Sequence, residues 1–303
     1  MNTPVLLITF LRPETTLKIL NIIRKNKIKD LFVFNDGPRN ENDVKKITAT
    51  RKVIDKFRLN GKIYKMYEKK NIGLRNNIPK ALEWVFKKFN KAIILECDCI
   101  PNSDFFRFCE ELLNKYEDDL RISQISGTNF LTYKNFLRRN NDSYYFSKLT
   151  PSWGWATWKN RWLNTYDKDI STWPMIKKEG WLKDILTKQS EINYWENIFN
   201  RRHKGIDIDW DRSWAYVNFI NHRLSIQPSR NLISSVGYDD VAAHENAKKW
   251  KELKLEKLNF PLKHPIVITA DTKADQFIIK GGYSKPNFIY RLKNKIKNIL
   301  NTH

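Results

Sequence analysis

The chain has no uninterrupted apolar stretch near the roughly 20 residues that a membrane-spanning helix needs, which excludes a bundle of such helices. Cysteine is scarce: Cys97, Cys99 and Cys109 are the only 3 among 303 residues, and they form neither a CxxC pair nor an even set. A disulfide framework is therefore not expected, and a reducing, cytoplasmic compartment is. The opening MNTPVLLITFLRPE lacks a basic segment ahead of its short apolar run, so it reads as a first strand and not as a signal peptide. No internal repeat or low-complexity linker divides the sequence. Acids are in deficit, with 33 Asp and Glu against 55 Lys and Arg and a formal net charge of +22. That charge admits nucleic acid, an anionic membrane surface or phosphorylated small molecules as partners. Lysines scattered as solvated surface account for it equally well. A nucleic-acid-binding protein stays as a rival reading, although no RRM, KH, zinc-finger or helix-turn-helix signature accompanies the charge.

What is present is a chain with 41% hydrophobic residues, enough for a sizeable core. Its first hundred residues alternate strand and helix signals. VLLITF (5–10), LFVFND (31–36), KIYKMYE (62–68) and KAIILE (91–96) predict strands. PETTLKILNIIRK, a charged stretch from Glu41 to Arg58, and NIPKALEWVFKKF (77–89) predict the helices between them. A βαβαβαβ series predicts an α/β class, with a mostly parallel central sheet flanked by helices on both faces. Ligands of such folds bind outside the carboxyl ends of the strands. Thr9, Arg12, Asp36, Glu68, Asn71 to Arg75, Glu96 and Asp98 all fall at those ends. Beyond about residue 120 the regular pattern stops, and residues 145–225 are dense in aromatics, as expected of a lobe packed on the same sheet.

LECDCIP (95–101) interleaves two acids with two cysteines. If strand pairing persists through it, Glu96 and Asp98 project to one face while Cys97 and Cys99 project to the other. Cysteine suits the core side, and a thiolate metal site would need further Cys or His ligands that are not nearby. The acids are the better functional pair, against the plainer reading of turn and cap residues for the helix that NSDFFRFCEELL begins. GIDIDWDRSWAY offers Asp207, Asp209 and Asp211 as further acids. SWGWATW (152–158) sets three tryptophans around one glycine. Trp153, Gly154 and Trp155 can line a sugar site, with indole faces on the apolar side of a pyranose and Gly154 permitting close approach, or they can simply build an aromatic core. Arg223 and Arg230 are less securely placed phosphate partners. From Ser284 onward, SKPNFIYRLKNKIKNIL is basic without an acid and carries apolar residues at helical spacing. Such a tail suits an anionic membrane surface.

Taken in order, PVLLITFLRP, FNDGP, NIGLRNNIPKALEWVF, LECDCIPNSDFF, SWGWATW and IDWDRSW resemble the nucleotide-sugar glycosyltransferases of the GT-A fold. The similarity is to bacterial family 2 relatives and the N-acetylglucosaminyltransferase I type, over roughly residues 3 to 245. The resemblance implies one GT-A domain, with a nucleotide-sugar-binding part (1–120), an acceptor-side and catalytic part (121–280) and the basic tail (281–303) outside it. It implies an inverting hexosyl- or N-acetylhexosaminyltransferase acting on a nucleoside diphosphate sugar, UDP-linked in most such enzymes, with a surface-glycan or lipid-linked acceptor. Thr9, Phe10 and Arg12 would line base and ribose, Asp36 would bind the base, and Asn71, Gly73 and Arg75 would lie near base and diphosphate. Glu96, Cys97 and Asp98 fall on the short acidic motif, with Asp98 as ligand of Mn²⁺ or Mg²⁺ and Cys97 in place of the middle acid. Asp211 would be the catalytic base, with Asp209 as the alternative. His244 would reach the cation or diphosphate unless it is an ordinary surface histidine. A GT-A scaffold serving as nucleotidyltransferase or as non-catalytic sugar binder remains the second alternative.

Overall fold

The structure is a computed structural model, and it describes residues 1–134, 136, 141–236 and 253–280. The basic tail and His244 lie outside these residues. Four strands, β1 (Val5–Thr9), β2 (Asp30–Asn35), β3 (Lys62–Tyr67) and β4 (Lys91–Glu96), alternate with α1 (Pro13–Lys25), α2 (Glu41–Lys56) and α3 (Leu74–Phe86). There follow β5 (Cys99–Pro101), α4 (Ser103–Lys115), β6 (Ile122–Ser126), a single 3₁₀ turn at Phe130–Lys134, β7 (Tyr144–Ser147) and β8 (Trp155–Trp158). Five helices come next: α5 (Lys159–Trp162), α6 (Trp173–Lys178), α7 (Leu182–Ile185), α8 (Gln189–His203) and α9 (Trp210–Ile220). β9 (Leu224–Pro228), β10 (Ile233–Ser235) and α10 (Thr272–Ile278) complete the described elements.

Eight strands form one sheet in the order β3-β2-β1-β4-β8-β6-β9-β7, and β5 pairs with β10 in a small second sheet. β1 to β4 are parallel neighbours, β8 and β7 run against their partners, and β6 and β9 run with the first four. The expected α/β class, with a mostly parallel sheet between helices, therefore holds. Period-two alternation places the core on both faces. Leu6, Ile8, Ala92 and Ile94 pack on one side with α3, α8 and α9. Val5, Leu7, Ile93 and Leu95 pack on the other with α1, α2 and α4. Cys99 and Cys109 are buried in this second cluster as small hydrophobes, and all three cysteines are free thiols.

Two expectations change. The strand does not persist through LECDCIP: β4 stops at Glu96, Cys97 and Asp98 form a turn, and β5 leaves for its own pairing with β10. Alternation across that stretch therefore does not set the side-chain directions. Helix α3 begins at Leu74, ahead of the expected residue 77, and carries Pro79 inside it. Its first turn closes instead on Gly73, whose carbonyl accepts from the amides of Asn76 and Asn77 at 3.0 and 2.9 Å. Gly73 has φ 73, a conformation open to glycine at little steric cost.

Candidate functional site

The carboxyl ends of β1 to β4 share one edge of the sheet, and the chain that leaves each of them carries the candidate residues. At β1 and β2 the buried polar groups serve one another. The Thr9 hydroxyl donates to the Phe34 carbonyl at 3.0 Å and accepts from Asn35 Nδ2 at 2.9 Å, while Arg51 Nε donates to Asn35 Oδ1 at 2.7 Å. Arg51 also donates to the Glu68 carbonyl at 2.6 Å, joining β2 to β3. Neither Asn35 nor Arg51 was singled out from the sequence, because only the fold brings them together. Phe10 lies beneath the Arg39 guanidinium, 5.2 Å from its ring centre.

Asp36 is 1% exposed, and its carboxylate is a junction. Oδ1 accepts from the amides of Gly37 (2.8 Å) and Ile72 (3.0 Å). Oδ2 accepts from the amide of Gly73 (3.2 Å) and from the side chains of Asn71 (3.1 Å) and Asn77 (3.3 Å). One acid at the end of β2 thus fixes the whole 71–77 turn and sets where α3 begins. Arg75, on the first turn of α3, donates to Asp169 at 2.5 Å. A Cβ placed on Gly205 would lie 3.6 Å from Arg75 Nη1, so α3 meets the 204–209 loop here.

Glu96 and Asp98, at the exit of β4, are both only partly exposed. Burial pushes the Glu96 carboxyl well above the usual carboxylate range, and the negative charges of Asp98, Asp211 and Asp209 push it further. Acids more than a hundred positions apart in sequence thus stand close enough to feel one another. Asp209 caps α9 and Asp211 lies in its first turn, where the positive end of the helix favours carboxylates. Asp211 Oδ1 is buried without a hydrogen-bond partner, while the side chain as a whole is 31% exposed and Arg212 Nε lies 3.8 Å away. Arg212 escaped notice in the sequence, and its place beside Asp211 was the available signal. Cys97 is pushed up to about 12, by burial first and by Asp98 next, against the Phe10 amide and Arg12, which lower it. It is therefore a weakly acidic thiol packed beside the β1 loop. Among the described residues, no group of three or more His, Cys, Asp or Glu side chains is placed to hold a metal ion.

SWGWATW is mostly core. Trp155 and Trp158 are each 1% exposed, and Trp155 stacks on Trp210. Trp153 keeps partial exposure and meets Phe130 edge-on at 5.1 Å. Gly154 has φ 60, and a Cβ on it would lie 2.4 Å from Ile233 Cδ1. The close approach that this glycine permits is therefore to β10. Arg223 reaches Thr165 Oγ1 at 3.0 Å and Arg230 reaches Glu256 at 3.2 Å. A separate cavity of about 920 Å³, bordered by Thr3, Asn90, Lys91, Arg107 and Glu110, opens at the amino ends of β1 and β4, away from the acids.

No family model matches the chain, and no curated protein matches it. Solved structures with likeness to it include HddC from Yersinia pseudotuberculosis, at 10% identity and a TM-score of 0.28, covering 40% of this chain and 56% of that one. A second is 4-diphosphocytidyl-2C-methyl-D-erythritolsynthase from Anaerococcus prevotii DSM 20548, at 13% and 0.32, covering 63% and 81%. A third is an apo-UDP-glucose pyrophosphorylase, at 8% and 0.36, covering 75% and 90%. The chain thus spans little more than half of the first of these. Scores of this size assign it neither a family nor an activity.

Proposed function

We propose that the chain is an inverting, divalent-metal-dependent glycosyltransferase. It would transfer a sugar from a nucleoside diphosphate sugar, UDP-linked in the first instance, to a hydroxyl of a surface-glycan or lipid-linked acceptor. The observation that carries this reading is the meeting of Glu96 and Asp98 from the end of β4 with Asp209 and Asp211 from the start of α9. Like charges gathered around a partly exposed carboxylate cost stability, so the grouping is better explained by chemistry than by packing. Its position outside the carboxyl ends of parallel strands agrees with ligand placement in open α/β sheets.

The acid set fits Mn²⁺ or Mg²⁺ in one respect. Its donors are carboxylate oxygens, the ligands that a hard divalent cation prefers, with Asp98 at the exit of β4 partly exposed. It fits a cation held by one or two carboxylates, Asp98 foremost, with substrate phosphate and water completing the shell; it does not fit an all-protein cage. When bound, the ion supplies stabilisation of the negative charge on the departing diphosphate. Asp211 takes the proton of the acceptor hydroxyl as its oxygen attacks the anomeric carbon and the bond to the diphosphate breaks. Arg12 supplies positive charge at the donor end of the same edge, whereas Arg75 is paired with Asp169 and would have to exchange that partner to meet a diphosphate. A net charge of +22 suits work on anionic substrates and at the inner face of the cytoplasmic membrane.

The test is thermal stabilisation by a panel of nucleotide sugars with and without Mn²⁺, since a ligand that binds only the folded form raises stability. At least one should stabilise the protein in a metal-dependent way, and none doing so rejects the reading. A folded Asp211→Asn variant should still bind that donor but transfer about 10² to 10⁴ times more slowly, the usual worth of a general base. Near-normal transfer would remove Asp211 from this role.

A further inference from the structure

The sequence GIDID alternates two aliphatic residues with two acids, and the structure separates them. Asp207 turns inward, where Oδ1 accepts from the Asp209 amide at 3.1 Å and its carbonyl accepts from Arg202 at 2.9 Å. Arg202 is fully buried and also donates to the Lys168 carbonyl at 2.9 Å. The Ile206 and Asp207 amides both donate to the Arg201 carbonyl, at 2.9 and 3.3 Å. The 204–209 loop is therefore braced from beneath, and it holds Ile206 and Ile208 outward at 58% and 57% exposure. Asp209 and Asp211 follow directly. Leu74, 41% exposed, directly precedes Arg75, whose guanidinium approaches Gly205 of this loop.

A soluble glycan would be met by hydrogen-bonding side chains, and β-branched aliphatics offer none. Three exposed cations belong to the segments that brace this loop: Lys204 adjoins it, Arg201 gives its carbonyl to the Ile206 and Asp207 amides, and Lys168 gives its carbonyl to Arg202. Asp169, the nearby exposed acid, is already taken by Arg75. Exposed aliphatic side chains accompanied by lysine and arginine match a surface with acyl chains below and anionic headgroups above. We infer that the rim formed by Leu74, Ile206 and Ile208, with Lys168, Arg201 and Lys204 of the bracing segments, seats the mouth of the site on an anionic lipid surface. The acceptor then reaches Asp211 from that surface, attached to a lipid. The acceptor half of this statement rests on the transfer reading above, whereas the lipid contact stands apart from it.

Flotation of the full chain tests the contact, using vesicles of phosphatidylcholine alone and vesicles with about one third phosphatidylglycerol. The protein should float with the anionic vesicles and far less with the neutral ones. Ile206→Ser/Ile208→Ser should lower partitioning about tenfold. Ile266→Ser/Val267→Ser removes aliphatics at 101% and 62% exposure outside the rim and should change it less than twofold. Equal partitioning of the two double variants overturns the inference, as does equal flotation with both kinds of vesicle. Stabilisation by the panel of nucleotide sugars with Mn²⁺, read on the same proteins, separates the two readings. A rim variant that is still stabilised but no longer floats supports the contact. A wild-type chain that floats, loses flotation on Ile206→Ser/Ile208→Ser and is stabilised by no nucleotide sugar keeps the contact and sinks the transfer reading; flotation that the rim variant retains belongs to the basic segment from Ser284 onward and overturns the inference.

Discussion

The indole of Trp210 stacks on that of Trp155, with ring centres 5.2 Å apart and planes inclined by 22°. Trp155 opens β8 at the centre of the sheet, and Trp210 lies between Asp209 and Asp211 at the start of α9. Trp162 and Trp214 close around the pair, with ring centres 5.0 Å apart. The acids on α9 are thus positioned against the sheet by aromatic packing, and the tryptophans of SWGWATW and of WDRSW belong to one cluster. Truncating either indole leaves a large buried cavity. Trp155→Ala and Trp210→Ala should each cost about 3 to 5 kcal/mol in urea denaturation. Because the rings share a face, the double variant should fall short of the sum by about 1 kcal/mol or more. Additive losses would show that the two rings are not coupled.

Asp36 accepts five hydrogen bonds from the 37–77 segment. Asp36→Ala removes the shared acceptor of five donors, of which Asn71 Nδ2 alone keeps another partner, the Gly37 carbonyl at 3.1 Å, and the loss should reach about 3 kcal/mol. Asp36→Asn should be nearly as harmful, because its amide nitrogen must face donors on one side. Hydrogen exchange checks the local consequence: the amides of Ile72 and Gly73 should lose protection before the rest of the sheet. Retained protection at both amides in a folded Asp36→Ala variant would show that the turn is held by something else.

Gly154→Ala should destabilise for two separable reasons. A Cβ would meet Ile233 Cδ1 at 2.4 Å, and φ 60 disfavours any L side chain. Ile233→Ala in the same chain should relieve the clash but not the backbone strain, which contributes on the order of 1 kcal/mol. The expected signature is a favourable coupling between the two substitutions, with the double variant still less stable than Ile233→Ala alone. Full rescue would mean that the backbone carries no strain at this residue.

The four strands and three helices at the amino end were legible because each repeats one period over a run of residues. VLLIT and KAIIL carry enough β-branched and apolar residues to be strands in any context. The acids were legible as residues, but their meeting was not. Nothing local in LECDC or GIDIDWD states that β4 and α9 end at one place, since that depends on the order in which eight strands pair. The alternation argument placed Glu96 and Asp98 on one side of a strand that does not continue. The chain turns at Cys97 because β5 finds its partner in β10, more than a hundred residues later. For Gly154 the sequence leaves room for a sugar and part of an aromatic core equally open, because it does not show Ile233 lying against that glycine. The start of α3 was missed by three residues because its cap depends on the tertiary acceptor Asp36 and not on a local capping side chain.

The same acid cluster gives stability a dependence on pH whose sign is fixed. In the folded chain the Glu96 carboxyl holds its proton well above the usual carboxylate range, by burial and by the charges of Asp98, Asp211 and Asp209. The unfolded chain releases that proton at an ordinary glutamate value of about 4.3. Between those two values the folded state binds more protons than the unfolded one, so this group lowers stability as pH rises from about 4.3 through its folded pKa. Glu96→Gln keeps the shape and removes the charge. Its melting temperature should match wild type near pH 4 and exceed it at pH 8, with the gap opening across that window. If Mn²⁺ binds among these carboxylates, adding it at pH 8 should stabilise the wild-type chain and narrow the gap, because the ion offsets the repulsion that the substitution removes. A Glu96→Gln variant less stable than wild type at pH 8 without metal would show that the carboxylate is held ionised by a partner, and would reverse the sign assigned to the cluster.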